Sequence, residues 1–191
     1  MNIQNNWSAI RQHYADLNSQ INSCVSSEWA IDPYSWDMGK HMIFMTPIEE
    51  NFWADCREAD LILYPQYPAC GYFLDFANPV AKVGIECDGK AFHTDKERDA
   101  FRQSVLEKNG WIIYRITGKE CNEDWDESGK TPPFGRVLAD HIGSTHGIKR
   151  ARRKDRSMGA RHVGEIAVES ITSIFQKILG DSSSVNAGDS A

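Results

Sequence analysis

Residues 72–93 read YFLDFANPVAKVGIECDGKAFH, and the placing of acids within that stretch decides the fold. Residues 72–77 and 81–88 carry the aromatic and β-branched side chains of strands, and Asn78-Pro79 between them is a turn signal. Asp75 interrupts the first strand, Glu86 and Asp88 interrupt the second, and His93 follows just beyond. Acids are depleted in strands, and burying an unpaired carboxylate is costly. Three of them in two strands call for compensating positive charge, most simply a divalent cation.

Strand parity sharpens the pattern. Leu74 and Phe76 share one face of the first strand, leaving Asp75 on the other. On the second, Val83, Ile85 and Cys87 form the apolar face, with Gly84, Glu86 and Asp88 opposite. A hairpin pairing Ala77 with Lys82 would set Asp75 across from Gly84 and diagonal to Glu86. Diagonal neighbours lie roughly 7–8 Å apart, a span that two acidic side chains bridge through one cation. Gly84 would then leave room for a phosphate. A one-residue slip would send Asp75 to the opposite face. Mg²⁺ suits the donors, since it takes one or two carboxylates and fills its other positions with water and substrate phosphate. His93, whose ordinary pKa lies near neutrality, is suited to act on the attacking water or the leaving oxygen.

Working outward, Thr46-Pro47-Ile48-Glu49 combines a cap, a first-turn proline and a capping box, and the following helix presents Ile48, Phe52, Cys56 and Ala59 on one face. Residues 61–67 read as a short extended piece broken by Pro65 and Pro68. Thr94-Asp95-Lys96-Glu97 opens a second helix, with Phe101, Val105 and Leu106 on its apolar side, and Asn109-Gly110 closes it. WIIYRIT, residues 111–117, has few polar residues and is expected to be a central strand. Trp7, Ile10, Tyr14, Leu17, Ile21 and Val25 form a helical stripe near the N-terminus. Residues 121–133 are a polar loop, 134–147 a short helix, and 164–180 a last amphipathic helix before a small, polar, disordered tail.

TPIEENFW, YPQYPACGYFLDFANPVAKVGIECDGKAFH and ERDAFRQSVLEKNGWIIYRITGKE together resemble the endonuclease-like domain of unknown function 559. That family is related to the very-short-patch-repair mismatch endonucleases, within the PD-(D/E)xK nuclease superfamily. The resemblance covers about residues 44–121. It implies an α/β fold with a restriction-endonuclease-like core, in which a mixed β-sheet is flanked by helices and the metal site lies where two strands diverge. Helical N- and C-terminal extensions would flank that core. The domain plan expected is an N-terminal helical extension and connector (1–43), the core (44–121), a loop, basic segment and C-terminal helix (122–180), and the tail (181–191).

Carried over position by position, Asp75 matches the superfamily's central metal-binding aspartate and Glu86 the first acid of the (D/E)xK element. Cys87 matches the residue whose backbone carbonyl completes metal coordination. Glu49 matches the helix glutamate preceding the core, His93 a histidine found at this place in the family, and Gln66 a glutamine near the site. The superfamily lysine is replaced by Asp88, as is typical of this family, which leaves the general base open between His93 and Lys90. The cofactor implied is Mg²⁺, with Mn²⁺ able to substitute. No other cofactor is expected.

Plainer readings stand beside these. A capping box alone accounts for Glu49, and Asp88 before Gly89 suits a strand end and turn. Arg98 and Asp99 fit a solvated helix face, with Arg98 a candidate phosphate contact, and Arg115 is placed to pair with a site acid or to reach substrate. Trp111 and Phe92 are expected in the core.

The net charge of −6 excludes a globally basic nucleic-acid binder. Lys149, Arg150, Arg152, Arg153 and Lys154 nevertheless form a basic run that suits a phosphate clamp or a solvated surface. Five widely spaced cysteines without a CxxC pair argue for reduced thiols and against a zinc ribbon. No signal sequence or apolar span is evident, so a cytoplasmic protein with no membrane partner is expected. The function expected is a metal-dependent endonuclease acting on phosphodiester bonds, with a nucleic acid, DNA foremost, as partner. A non-catalytic nucleic-acid-binding protein on the same fold, or a protein-interaction module, are the alternatives. Two cuts are needed for a double-strand break, which leaves a homodimer or another protein partner open.

Overall fold

Asn6 begins the first helix of the computed structural model, which describes residues 5–31, 43–89 and 96–150. Its side chain accepts the Ala9 N–H at 3.1 Å and so satisfies one free donor of helix α1 (Trp7–Ser23). Ile10, Tyr14, Leu17 and Ile21 form the buried stripe, while Trp7 and Val25 at its ends are exposed. Helix α2 (Pro47–Glu58) opens with the expected capping box of Thr46 and Glu49. Its inner face carries Phe52, Trp53 and Cys56.

Four strands follow: β1 (Tyr64–Ala69), β2 (Tyr72–Asn78), β3 (Val83–Asp88) and β4 (Ile112–Thr117), with helix α3 (Lys96–Lys108) between the last two. The sheet order is β1-β2-β3-β4, antiparallel except for the parallel pair β3–β4. The sheet is thus mixed, and α3 supplies the crossover that a parallel pair requires. A one-turn helix α4 (Gly118–Cys121) starts at a second capping box, Thr117 with Glu120, and α5 (Phe134–His146) ends at Gly147 in the left-handed region (φ 62°).

The core forms on both faces of the sheet. Phe76, Val83, Ile85 and Ile116 pack against Phe52, Trp53 and Cys56 of α2 and Leu138, Ala139 and Ile142 of α5. Leu74, Ala77 and Trp111 pack on the other side with Leu106 of α3. Helix α1 covers Tyr64 of β1 with Ile10, Tyr14, Leu17 and Ile21. Among the described residues no helix is long and apolar enough to cross a membrane.

Several expectations change. Strand β1 runs through Pro65 and Pro68 because it is an edge strand, where a missing N–H is tolerated. β4 is also an edge strand among the described residues, not a central one. Its apolar composition reflects cover on both faces, with Ile116 toward α5 and Ile113 toward α3. Phe101 is exposed, so α3 holds the sheet through Leu106. Lys90, Phe92, His93, Thr94, Arg152, Arg153, Lys154, the helix at 164–180 and the tail lie outside the described residues.

Candidate active site

The hairpin register differs from the expected one by two residues. Ala77 pairs with Gly84 rather than Lys82, because the turn occupies 79–82 and β3 starts at Val83. Only three pairs hold β2 to β3, the last being Phe76 with Ile85, whereas β3 pairs with β4 along its full length to Asp88 and Thr117. Beyond Phe76 the first two strands therefore part. In that fork the Asp75 carboxylate accepts the Cys87 N–H at 2.8 Å, a side chain taking the place of a ladder partner.

Alternation on β2 also breaks at Asp75. Leu74 packs on the α3 side and Phe76 on the α2 side, so the two do not share a face. Opposite them on β1, Gln66 lies between the pairs Pro65–Phe76 and Tyr67–Leu74 with φ at 48°. A left-handed residue inside a strand is strained and reorients its neighbours. Gly84 does not leave room for a phosphate. A Cβ there would stand 2.8 Å from both Leu74 Cδ1 and Ile113 Cδ1, so the glycine serves close packing.

The fork lets acids from both faces of the sheet share one cleft of about 370 Å³, lined by Glu49, Gln66, Asp75, Glu86, Asp88 and Arg102 among others. Glu49, at the start of α2, is 8% exposed and its Oε2 accepts both the Thr46 N–H at 3.2 Å and Gln66 Nε2 at 3.3 Å. The capping role and the place in the cleft are thus held by one side chain. Glu86 is 7% exposed and pairs with Arg102 Nη2 at 2.5 Å, a group that also donates to the Phe73 carbonyl at 2.7 Å. Asp88 pairs with Arg115 at 3.2 Å, the expected site-acid partner.

Electrostatics set Asp75 apart. Burial, then the charges of Glu86 and Glu49, push its carboxyl up to about 8, although the Cys87 N–H and Arg102 oppose this. Burial also raises Glu86, against the pull of Arg102, and raises Glu49. The Cys87 thiol is turned away, hydrogen-bonded with Cys121 and pushed far up by that bond and by burial. Among the described residues no three His, Cys, Asp or Glu form a ready-made metal cage. The oxygen donors nevertheless fit a cation of the Mg²⁺ kind, which uses one or two carboxylates rather than a closed protein cage. The elevation of Asp75 by burial and by the charges of Glu86 and Glu49 is what a bound positive charge would relieve.

Arg102 was absent from the sequence expectations. Its signal lay in spacing, three residues after Asp99, which also lines the cleft, and four after Arg98. Arg98 itself is exposed and outside the cleft lining. Lys149 and Arg150 lie at the other end of α2 from Glu49. Lys149 bridges to Leu61 and donates to Asp140 at 2.6 Å, and the Arg150 N–H donates to the Asp60 carbonyl at 2.8 Å. With eleven positions of mostly helical chain between Glu49 and Asp60, the separation is on the order of 16 Å, so neither residue closes on this cleft.

The family model REase_MTES_1575 matches residues 49–130, a span that includes every acid of the cleft with Arg102 and Arg115 and excludes α1. The uncharacterized protein YcjD of Escherichia coli (strain K12) is 34% identical over 85 residues, covering 42% of this chain and 73% of YcjD. Among solved structures, the catalytic domain of the homing endonuclease I-Bth0305I aligns at 20% identity with a TM-score of 0.41, over 53% of this chain and 98% of that domain.

Proposed function

The chain belongs to the restriction-endonuclease-like family REase_MTES_1575, and from that premise we propose that it is an Mg²⁺-dependent endonuclease hydrolysing phosphodiester bonds, with DNA as substrate. The observation that carries this reading is the convergence of Glu49, Asp75 and Glu86 in one cleft, with Asp75 pushed up to about 8 by burial and then by the charges of the other two. Asp75 and Glu86, with the Cys87 carbonyl, would hold the cation. When bound it would polarise a phosphoryl oxygen and acidify a coordinated water.

The chain's own groups do the rest. Glu49 is anchored by Thr46 and Gln66, so its carboxylate presents a fixed face to the cleft. Arg102 and Arg115 bring guanidinium groups where the superfamily lysine would bring an ammonium. A guanidinium stays charged at all working pH values, so these two stabilise negative charge on phosphate but do not accept a proton. That leaves His93, or Lys90, as the base acting on water.

The test is incubation of the purified protein with plasmid, hairpin, mismatched and single-stranded DNA, with Mg²⁺, Mn²⁺ or EDTA. Metal-dependent nicking that is lost in Asp75→Ala is the expected result. Absence of cleavage on every substrate, or cleavage that persists in Asp75→Ala, overturns the reading. A specific observation favours a second reading, a nucleic-acid-binding protein without turnover. Glu86 and Asp88 are already neutralised by Arg102 and Arg115, and Asp88 stands where the superfamily lysine would, two residues after the acid. Tight, salt-sensitive DNA binding with no cleavage would select it.

A further inference from the structure

The mouth of the cleft is aromatic and cationic on the side formed by α1 and the start of β2. Trp7 lines the cleft, is 44% exposed, and lies 4.6 Å from the Phe73 ring at 42°. Phe73 also lines the cleft, and its ring carries Arg11 at 4.3 Å, whose Nη2 is fixed by the Gly71 carbonyl at 3.1 Å. On the neighbouring residue, Arg102 stands 5.7 Å from the Tyr72 ring. Aromatic faces and guanidinium groups therefore alternate from α1 to the acids.

The N-terminal stripe explains why this is more than a stray surface aromatic. Four residues of α1 are buried on β1, and Trp7 continues the same stripe, yet it projects over the cleft rather than into the core. Phe101 and Trp125, also exposed, are not in the cleft lining. Base-paired DNA hides the faces of its bases inside the stack and offers only their edges to a groove. An indole stacks on a base face only where that face is uncovered, most cheaply at a nucleotide that is unpaired or already out of the stack. Arginines beside it meet the flanking phosphates, the combination used on unpaired strands.

We propose that Trp7 stacks on an unstacked nucleotide beside the scissile phosphate, so that the substrate is a nucleic acid with a single-stranded, mismatched or extruded nucleotide at the cut. This rests on the endonuclease reading above and adds its substrate class. Arg11 is the phosphate contact next to that nucleotide. Because α1 lies outside the family-matched span, the selectivity belongs to this chain's extension and not to the shared core.

Fluorescence anisotropy in EDTA reads binding apart from cleavage. Three labelled oligonucleotides are compared: a single strand, a duplex with one unpaired nucleotide, and the perfect duplex. The wild-type chain is expected to prefer the first two. Trp7→Ala and Trp7→Leu should weaken those two by roughly 5- to 100-fold and leave the perfect duplex nearly unchanged, while Trp7→Phe retains most of the preference. Arg11→Gln should lower the salt dependence of binding. The leucine variant keeps apolar cover over Phe73, so it decides the matter if the alanine variant folds poorly. Equal loss on all three substrates, no loss on any, or a wild-type preference for the perfect duplex overturns the proposal. Cleavage of the same oligonucleotides with Mg²⁺ is scored separately. Turnover with no effect of Trp7 sinks this inference alone, and a Trp7-dependent preference without turnover sinks the endonuclease reading alone.

Discussion

Asp75 and Asn78 stand three residues apart on β2, and both take polar groups out of water, with opposite electrostatic results. Asn78 is 1% exposed and fully engaged: Nδ2 donates to the Ser26 and Ile62 carbonyls at 2.8 Å each, and Oδ1 accepts the Ala81 N–H at 2.9 Å. It locks the hairpin turn to the chain before β1. Asp75 accepts one N–H and otherwise faces two acids. A buried amide with complete partners rigidifies a fold, whereas a buried carboxylate among like charges stores unfavourable energy until a counter-charge arrives. The closed end of the hairpin completes its polar partners, and the forked end gathers the acids of the cleft.

The largest break in that contrast comes from Asp75→Asn. Loss of the carboxylate proposed to hold the cation should reduce cleavage by about a thousandfold, several kcal/mol of lost charge stabilisation. The same substitution should raise the metal-free melting temperature at neutral pH, since an amide needs no proton taken up on folding, as a carboxyl held at about 8 does. Nicking assays and thermal melts on one preparation check both halves. A variant that loses activity and stability together would place Asp75 in the same class as Asn78.

The pH dependence sharpens the contrast next. Asp75 has an ordinary pKa of 3.8 unfolded and about 8 folded, with Glu49 and Glu86 raised in the same direction. The folded chain therefore binds more protons than the unfolded chain between these values. The stabilisation is full below about pH 4 and is lost as pH rises through about 8. Denaturant melts in EDTA should show stability falling by a few kcal/mol over that window, and Asp75→Asn should flatten the slope. Mg²⁺ should restore stability more at pH 8 than at pH 5, the gain at pH 8 being about 2.7 kcal/mol when Mg²⁺ is a hundredfold above its Kd there. A metal effect that is equal at both pH values would contradict the placing of the cation against these acids.

How far the sequence foretold this follows from where strand regularity holds. On β3 the period of two is unbroken, so Val83, Ile85 and Cys87 face α2 and Glu86 faces α3 as parity predicts. On β2 parity misleads, because the left-handed Gln66 across the ladder and the fork beyond Phe76 disturb the alternation at Asp75 itself. No local pattern in LDF announces that. Capping chemistry was legible because it is local, as Thr46 with Glu49 demonstrates. Arg102 was hidden because an arginine on a polar helix ordinarily faces solvent, and only the tertiary placing of α3 brings it to Glu86. The basic run is in view only at its start, since Arg152, Arg153 and Lys154 lie outside the described residues. Lys149 and Arg150 are neighbours of Arg152 along the chain, but the Leu61 bridge carries them away from the cleft.

Asn78→Ala tests the closed end. It leaves two carbonyls and one N–H without their partner, at a cost of about 2–4 kcal/mol. Chemical denaturation should register that loss, while kcat per folded molecule stays close to the wild-type value. A drop in kcat with unchanged stability would dissolve the division of labour between the two ends of the hairpin.

The smallest effect compares two residues that share one backbone conformation. Lys82, in the turn beside Asn78, has φ 52°, and Gln66, across from Asp75, has φ 48°. An L side chain in this region is strained by about 1–2 kcal/mol, which glycine relieves at some entropic cost. Lys82→Gly should therefore stabilise the chain by about 0.5 kcal/mol, since the side-chain bond it gives up, to the Asn109 carbonyl, is exposed. Gln66→Gly relieves the same strain but deletes a buried amide that donates to Glu49. The two terms oppose each other, so stability should change little while cleavage falls as the Glu49 carboxylate loses its anchor. Equal stabilisation by both glycines, with cleavage untouched, would mean that the bend at Gln66 is a feature of the edge strand alone and that Glu49 is held by its capping box.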